Sequence, residues 1–307
     1  MKIAIFGGTG FLGSYLVDAL IAHGHSPILM ARPAPGRQFS ESPHYRMVSG
    51  DLSDKDTIHQ VISEANAVIY NIGILREFPR HGITFQSLQY EKARDIMDIA
   101  AALGVRRFLL TSANGVKPDG TRYQRTKYLA EQHLQTGKLD GTIFRPSVIF
   151  GDPRGRMEFA TQLLDEIIRS PAPAPLFHQG LLPIRAGAFR LSPIHVKDVA
   201  EIYVKALTDP AAIGKIQSLC GPDPLAWRTI IKTIGQAVGR NKKTLPVPVF
   251  PMKLAAGVLE RFPSFPLTRD QLTMLLEGNT GDSSAVFKAY GIAPTPFNEE
   301  TLSYLRG

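Results

Sequence analysis

The sequence predicts an α/β protein, a doubly wound parallel sheet with a smaller, mainly C-terminal cap. Three observations carry that prediction. Short β-rich runs alternate with helix-spaced stretches through the first 150 residues, as parallel βαβ units do. A glycine-rich turn joins the first run to the first helical stretch. Beyond Gly151 the texture changes to proline-rich loop and separate helices. Residues 1–150 are therefore expected to form one domain, and residues 151–307 to complete the core and build the cap.

Each element has its own reason. Residues 2–6 are a continuous apolar run ending in glycines, the pattern of a buried strand. Residues 12–23 carry Leu12, Leu16, Ala19 and Leu20 at helical spacing, with Gly24 placed as the C-terminal cap. Strands follow at 27–31 and 45–48, then a helix at 57–65 with Asp54 or Asp56 as N-cap. A strand at 67–71 leads into a long helix at 88–103 that stops at Gly104. A strand at 107–111, a helix at 123–135 and a strand at 142–150 complete the first half. Pro171, Pro173, Pro175 and Pro183 then mark a loop that no helix crosses. Helical spacing returns at 195–207, 227–238, 252–261 and 268–276, with Pro246, Pro248 and Pro251 ahead of the third.

Composition narrows the function classes. A chain of 307 residues, 44% hydrophobic and 20% charged, can bury a sizeable core. No run approaches the roughly 20 apolar residues of a membrane span. The opening MKIAIFGGTG reads as a first strand rather than a secretory leader, since glycines interrupt the apolar run at once. A single cysteine, Cys220, excludes an intrachain disulfide framework and points to a reducing, cytoplasmic compartment. The net charge of +8 admits nucleic acid, an anionic membrane or an anionic ligand as partner. The basic residues are scattered, however, with short clusters at Arg106-Arg107 and Lys242-Lys243 and no interleaved aromatic motif. A solvated basic surface is the first reading, a polyanionic cofactor or acidic lipid surface the second, and no nucleic-acid partner is expected.

The turn at residues 7–13 reads GGTGFLG, with Gly7, Gly10 and Gly13 at the spacing of a dinucleotide fingerprint. Gly7 allows the tight turn, Gly10 lets backbone approach a pyrophosphate, and Gly13 lets the helix pack close to the sheet. Thr9, Phe11 and Leu12 share this turn and are assigned to the cofactor with the glycines. The fold expected is thus of Rossmann type, holding a nicotinamide dinucleotide. A carboxylate at the end of the second strand would repel a 2′-phosphate; the sequence has Arg32 there, with Arg37 beyond. That favours NADP(H) over NAD(H), although a loop arginine facing water would look the same. Asp51 and Leu52 after the third strand are placed near the adenine, and Asn71, Ile72 and Gly73 after the fourth near the middle of the cofactor.

These motifs, with Gly50-Asp51-Leu52 and the run Tyr123 to Lys127 in order, resemble the short-chain dehydrogenase/reductase superfamily. The RPSVIFG segment at 145–151 and IHVKDVA at 194–200 look like its extended and atypical branch, which includes sugar-nucleotide epimerases and dehydratases. Ser112-Ala113-Asn114-Gly115 and the Leu267 to Gln271 segment add a narrower likeness, to the reductase-like accessory subunits of respiratory complex I and their bacterial relatives. The resemblance covers nearly the whole chain. It implies cofactor contacts at Thr111 and Pro146 as well, and catalytic roles for Tyr123, Lys127 and Ser112.

Tyr123 and Lys127 are four apart, so on a helix they share a face. A neighbouring ammonium stabilises phenolate and makes tyrosine a usable acid–base. In the superfamily the lysine also grips the nicotinamide ribose. Family enzymes add a serine or threonine hydroxyl just past the fifth strand; here that position falls on Ala113. Ser112 or Thr111 can stand in for it, but strand alternation is expected to point their side chains elsewhere. Loss of such a donor costs on the order of a hundredfold in rate. Two readings follow: an oxidoreductase or epimerase acting on a carbonyl or sugar-type substrate, or a non-catalytic, cofactor-bearing structural, assembly or sensing protein, in a protein complex or peripheral to a membrane. Elsewhere, His195 and Asp198 read as a helix-start cap, Trp227 as core, and His23 and His25 as carrying no metal arrangement. Arg145, Arg154, Arg156 and Arg185 are candidates for an anionic substrate, and residues 252–261 for an amphipathic contact with core, partner or membrane.

Overall fold

A computed structural model describes residues 1–32, 42–180, 182–252 and 268–306. Arg37, Leu267 and most of the helix expected at 252–261 lie outside the described residues. The chain divides into two compact units: Met1–Pro146 with Val196–Ser218 and Ala285–Ile292, and Ser147–His195 with Leu219–Ser284 and Ala293–Gly307.

The first unit runs β1 (Lys2–Phe6), α1 (Phe11–Ala22), β2 (Ser26–Ala31), β3 (Arg46–Ser49), α2 (Lys55–Ser63), β4 (Ala67–Tyr70), α3 (Lys92–Ala102), β5 (Arg107–Thr111), α4 (Arg122–Thr136) and β6 (Asp140–Pro146). These six strands join Ile216–Leu219 in one seven-stranded sheet of order Ile216–Leu219, β6, β5, β4, β1, β2, β3. All pairings among β1 to β6 are parallel. Strand order reverses beside β1, the switch point at which ligands bind in such sheets. Burial of the sheet on both faces explains why its strands read as unbroken apolar runs: β4 is buried at every residue. Phe6, Tyr70, Phe108 and Leu110 pack with Ile58, Val61, Ile96 and Met97 of α2 and α3. Helix Val196–Thr208 packs against α1.

Local chemistry set several boundaries. Asp54 is the N-cap of α2, its carboxylate accepting from the Asp56 and Thr57 N–H groups at 3.1 Å. The long helix expected at 88–103 enters through a π-turn, Gln86–Glu91. Buried Gln89 there donates to the Ile74 carbonyl at 2.9 Å and accepts from the Thr126 hydroxyl at 3.0 Å. The strand expected at 142–150 is two: β6 stops at Pro146, and Ile149–Phe150 pairs with Ile194–His195 in the second unit.

In that second unit the proline-rich segment is not all loop. Ala174–His178 is a strand paired in parallel with Thr244–Pro248. Proline's fixed φ fits extended backbone, and an edge ribbon tolerates its missing N–H. Trp227 is core as expected, packed with Ile230, Ile231 and Ile234, its indole N–H donating to the Pro175 carbonyl at 2.9 Å.

One long-range contact holds helix Val196–Thr208 in register with the first unit's sheet. Arg107, at the start of β5, donates to the Leu207 carbonyl at 3.0 Å, the Ala206 carbonyl at 2.5 Å and the Asp140 carbonyl at 2.6 Å. A cation there satisfies carbonyls the helix end leaves open. Arg107→Met is expected to lower unfolding free energy by about 2 kcal/mol, measured by denaturant titration.

Candidate functional site

The glycines of the turn have separable roles. Gly7 has φ +93°, and a β-carbon there would lie 2.6 Å from the Asn71 carbonyl oxygen. At Gly13 a β-carbon would lie 2.1 Å from the Gly7 carbonyl oxygen, so this glycine lets α1 start tight against the turn. Gly10 differs. A β-carbon there meets nothing nearer than 3.4 Å, and no side chain caps the helix start that Gly10 precedes. The protein's own packing does not require this third glycine. Its effect is to keep the space beside the start of α1 free of a β-carbon, which fits close approach of a pyrophosphate to the backbone. Leu12 is buried, so what it offers a ligand is backbone, while Thr9 and Phe11 are half-buried beside it.

Past β2 and β3, Arg32 and Asp51 are both exposed. The Ser53 backbone N–H, donating at 2.9 Å, does most to hold the Asp51 carboxyl below its usual range. The Ser53 hydroxyl and the charges of Arg32 and Lys92 act in the same direction. Leu52 and Ile72 pack against the core of the first unit.

Helix α4 begins with a capping box, Thr121 and Gln124 satisfying each other's backbone N–H groups. This fixes where Tyr123 and Lys127 stand. The Lys127 ammonium is buried and donates to the Thr111 carbonyl at 2.8 Å and the Ile72 carbonyl at 3.3 Å. A β-carbon on Gly73 would lie 3.6 Å from it. The structure thus brings Ile72, Gly73, Thr111 and Lys127 together at the ends of β4 and β5. Burial pulls the Lys127 ammonium down to about 8, against the opposing charge of Glu131. Tyr123 meets Phe85 edge to face at 5.6 Å, and burial pushes its phenol up to about 12. That direction is opposite to the lowering expected from a neighbouring ammonium.

The hydroxyls past β5 are engaged. Thr111 lies 2.7 Å from the Tyr203 hydroxyl and donates to Asn71 Oδ1 at 3.0 Å. Ser112 is buried and donates to the Glu131 carboxylate, turned away from the role its position suggested. Arg145, a candidate for an anionic substrate, spends its guanidinium on the same carboxylate at 2.9 and 2.5 Å. Pro146 ends β6, its carbonyl accepting from the Asn114 N–H at 2.9 Å. Sequence reasoning placed Asn71 beside the cofactor but missed Glu131 and Tyr203. Glu131 had a signal, standing four residues beyond Lys127 on one helix; Tyr203 had none. His195 stacks edge-on against Phe150 at 5.1 Å, and His23 pairs with Glu201 at 3.0 Å. Among the described residues no acidic, histidine or cysteine group is arranged to hold a metal ion.

A family model for NAD(P)H binding matches residues 7–168, just over half of the chain. The chain belongs to this NAD(P)H-binding family. Its sheet and motifs are consistent with the extended, atypical branch of the short-chain dehydrogenase/reductases. Among curated relatives it is similar to the mitochondrial NADH dehydrogenase (ubiquinone) 1 alpha subcomplex subunit 9 of Arabidopsis thaliana, 28% identical over 87% of this chain and 66% of that protein. The mouse subunit of the same name is 26% identical over 98% and 79%. A ceramide reductase of Caulobacter vibrioides is 28% identical over 84% and 76%. Among solved structures, the UDP-glucose 4-epimerase of Thermus thermophilus with NAD has a TM-score of 0.74 at 17% identity, covering 100% of this chain and 99% of that one. At that identity the likeness is one of fold.

The two glycines separate stability from binding. Gly13→Ala should lower the melting temperature by several degrees, through overpacking worth about 1–3 kcal/mol. Gly10→Ala should melt with the wild type yet lose dinucleotide affinity. A second check concerns pH. The Lys127 ammonium titrates near 8 when folded and near 10.5 by its ordinary value, so between these pH values the unfolded chain holds the extra proton. Stability contributed by this group therefore rises with pH across that window. Denaturant titrations at pH 7 and pH 9.5 should show this rise in the wild type and its loss in Lys127→Met.

Proposed function

We propose that the chain is an NADPH-dependent oxidoreductase acting on a carbonyl or sugar-type small molecule. The observation that carries this reading is the Lys127 ammonium, buried between the Ile72 and Thr111 carbonyls and one helical turn from Tyr123. Gly7, Thr9, Gly10, Phe11, Leu12 and Gly13 would hold the pyrophosphate, with Asp51 and Leu52 toward the adenine and Gly73 and Pro146 lining the middle. Arg32 supports a 2′-phosphate. The bound nicotinamide supplies or accepts hydride. Tyr123 holds the proton, and a phenol raised to about 12 keeps it at neutral pH, which suits donation to a substrate oxygen during reduction.

A second reading is favoured by a specific observation: with Ala113 at the expected hydroxyl position, Ser112 and Thr111 are both engaged elsewhere. On that reading the dinucleotide stabilises the fold and the protein works in a complex, as relatives named complex I subunits suggest. Cytoplasmic placement, peripheral to such a complex, fits either reading; among the described residues no helix is long and apolar enough to cross a membrane.

Mass spectrometry of the dinucleotide retained through gentle purification, followed by turnover with a carbonyl panel, separates the two. NADPH consumed by the wild type but at least a hundredfold more slowly by Tyr123→Phe supports the enzyme. NADPH that stays bound without turnover and raises the melting temperature supports the structural role. Arg32→Asp should weaken NADPH far more than NADH; equal losses would remove the 2′-phosphate from Arg32.

A further inference from the structure

Glu131 has no solvent exposure. It stands on α4 four residues after Lys127 and eight after Tyr123, so the three share one stripe of the helix. Its carboxylate is gripped from two strand ends. From β6, Arg145 Nε donates to Oε1 at 2.9 Å and Nη2 to Oε2 at 2.5 Å. From just past β5, the Ser112 hydroxyl donates to Oε1. A bidentate guanidinium and a hydroxyl offset the cost of burying this carboxylate. Among the described residues Lys127 is the one buried lysine, and this buried carboxylate lies one turn behind it.

We propose that Glu131 is a positioning residue for the dinucleotide site: its fixed charge keeps the Lys127 ammonium protonated and aimed at the Ile72 and Thr111 carbonyls. The proposal rests on the reading that Lys127 contacts the bound dinucleotide. Burial alone drives a lysine toward its neutral form, and a carboxylate within a helical turn opposes that. Of the ionisable groups around the ammonium, Tyr123 and Glu131 come from α4, Arg145 from β6 and Tyr203 from helix Val196–Thr208 through Thr111. Asp95 of α3 acts on Tyr70 of β4. Only Glu131 supplies a negative charge that raises the Lys127 pKa. Ser112 thereby acts on the site through Glu131 instead of through the substrate.

The test is NADPH affinity, read by fluorescence from pH 6 to pH 10, in the full chain. The wild type should lose affinity with a midpoint near 8, as Lys127 gives up its proton. Glu131→Gln keeps the shape and removes the charge, so its midpoint should fall by about one unit or more, giving roughly fivefold or greater weakening at pH 8 and near-equal binding at pH 6. Glu131→Asp keeps the charge and loses the shape, and should return the midpoint toward the wild type. A purely structural role would rank these two variants the other way. If Glu131→Gln does not fold, Glu131→Gln/Arg145→Gln removes both charges together and should show a smaller shift in the same acid direction. An unchanged midpoint in a folded variant that binds NADPH overturns the proposal. Lys127→Met binding NADPH as tightly as wild type at pH 6 overturns the reading beneath it, so the two failures are told apart by which variant departs.

Discussion

The first unit is organised around the need to satisfy one buried ammonium. Lys127 cannot keep its charge in an apolar interior without oxygen partners, and it takes them from the ends of two adjacent strands, at Ile72 and Thr111. Those contacts tie the turn after β4 to the end of β5 and set the height of α4 against the sheet. The capping box at Thr121 fixes the rotation of the same helix, so the Tyr123 ring meets Phe85 edge-on. Burial that would discharge the lysine is opposed by a second buried charge behind it. A polar column therefore runs through an otherwise apolar layer, with Lys127 and Glu131 each hydrogen-bonded within it.

The neighbouring hydroxyl network has the same character. Tyr203, stacked on Phe144 at 4.1 Å, reaches Thr111 from helix Val196–Thr208, and the Thr111 hydroxyl donates a hydrogen bond to Asn71 Oδ1. Helix, strand and loop are thus linked at one threonine. The arrangement favours rigidity over an available proton donor, and for that reason a cofactor-retaining role remains a physical rival to turnover.

Much of this was legible in the sequence, and the reasons differ by element. The strands of the parallel sheet read clearly because burial on both faces leaves no polar alternation to confuse them. The glycine turn was legible because Gly7 and Gly13 are forced by backbone approach. The Tyr123–Lys127 pair was legible because helical spacing, its place after the fifth strand and the family resemblance agreed on it. Partners supplied by distant strands were not legible: Arg145 looked like a free cation because nothing local shows that Glu131 lies opposite it. Ser112 looked available because its neighbour across the strand end is set by tertiary packing. The strand at Ala174–His178 was hidden because proline usually breaks regular structure, and only pairing with a second proline-bearing segment makes it one.

That proline ribbon has a consequence for solubility. Pro175, Pro246 and Pro248 each lack the N–H that a further strand would need to bond along its length. A two-stranded ribbon with ordinary edges invites recruitment by another chain. Here its backbone is depleted of donors in both strands, so sideways growth into a larger sheet stalls at each proline. The feature that disguised the strand in the sequence also guards the folded protein against aggregating through it.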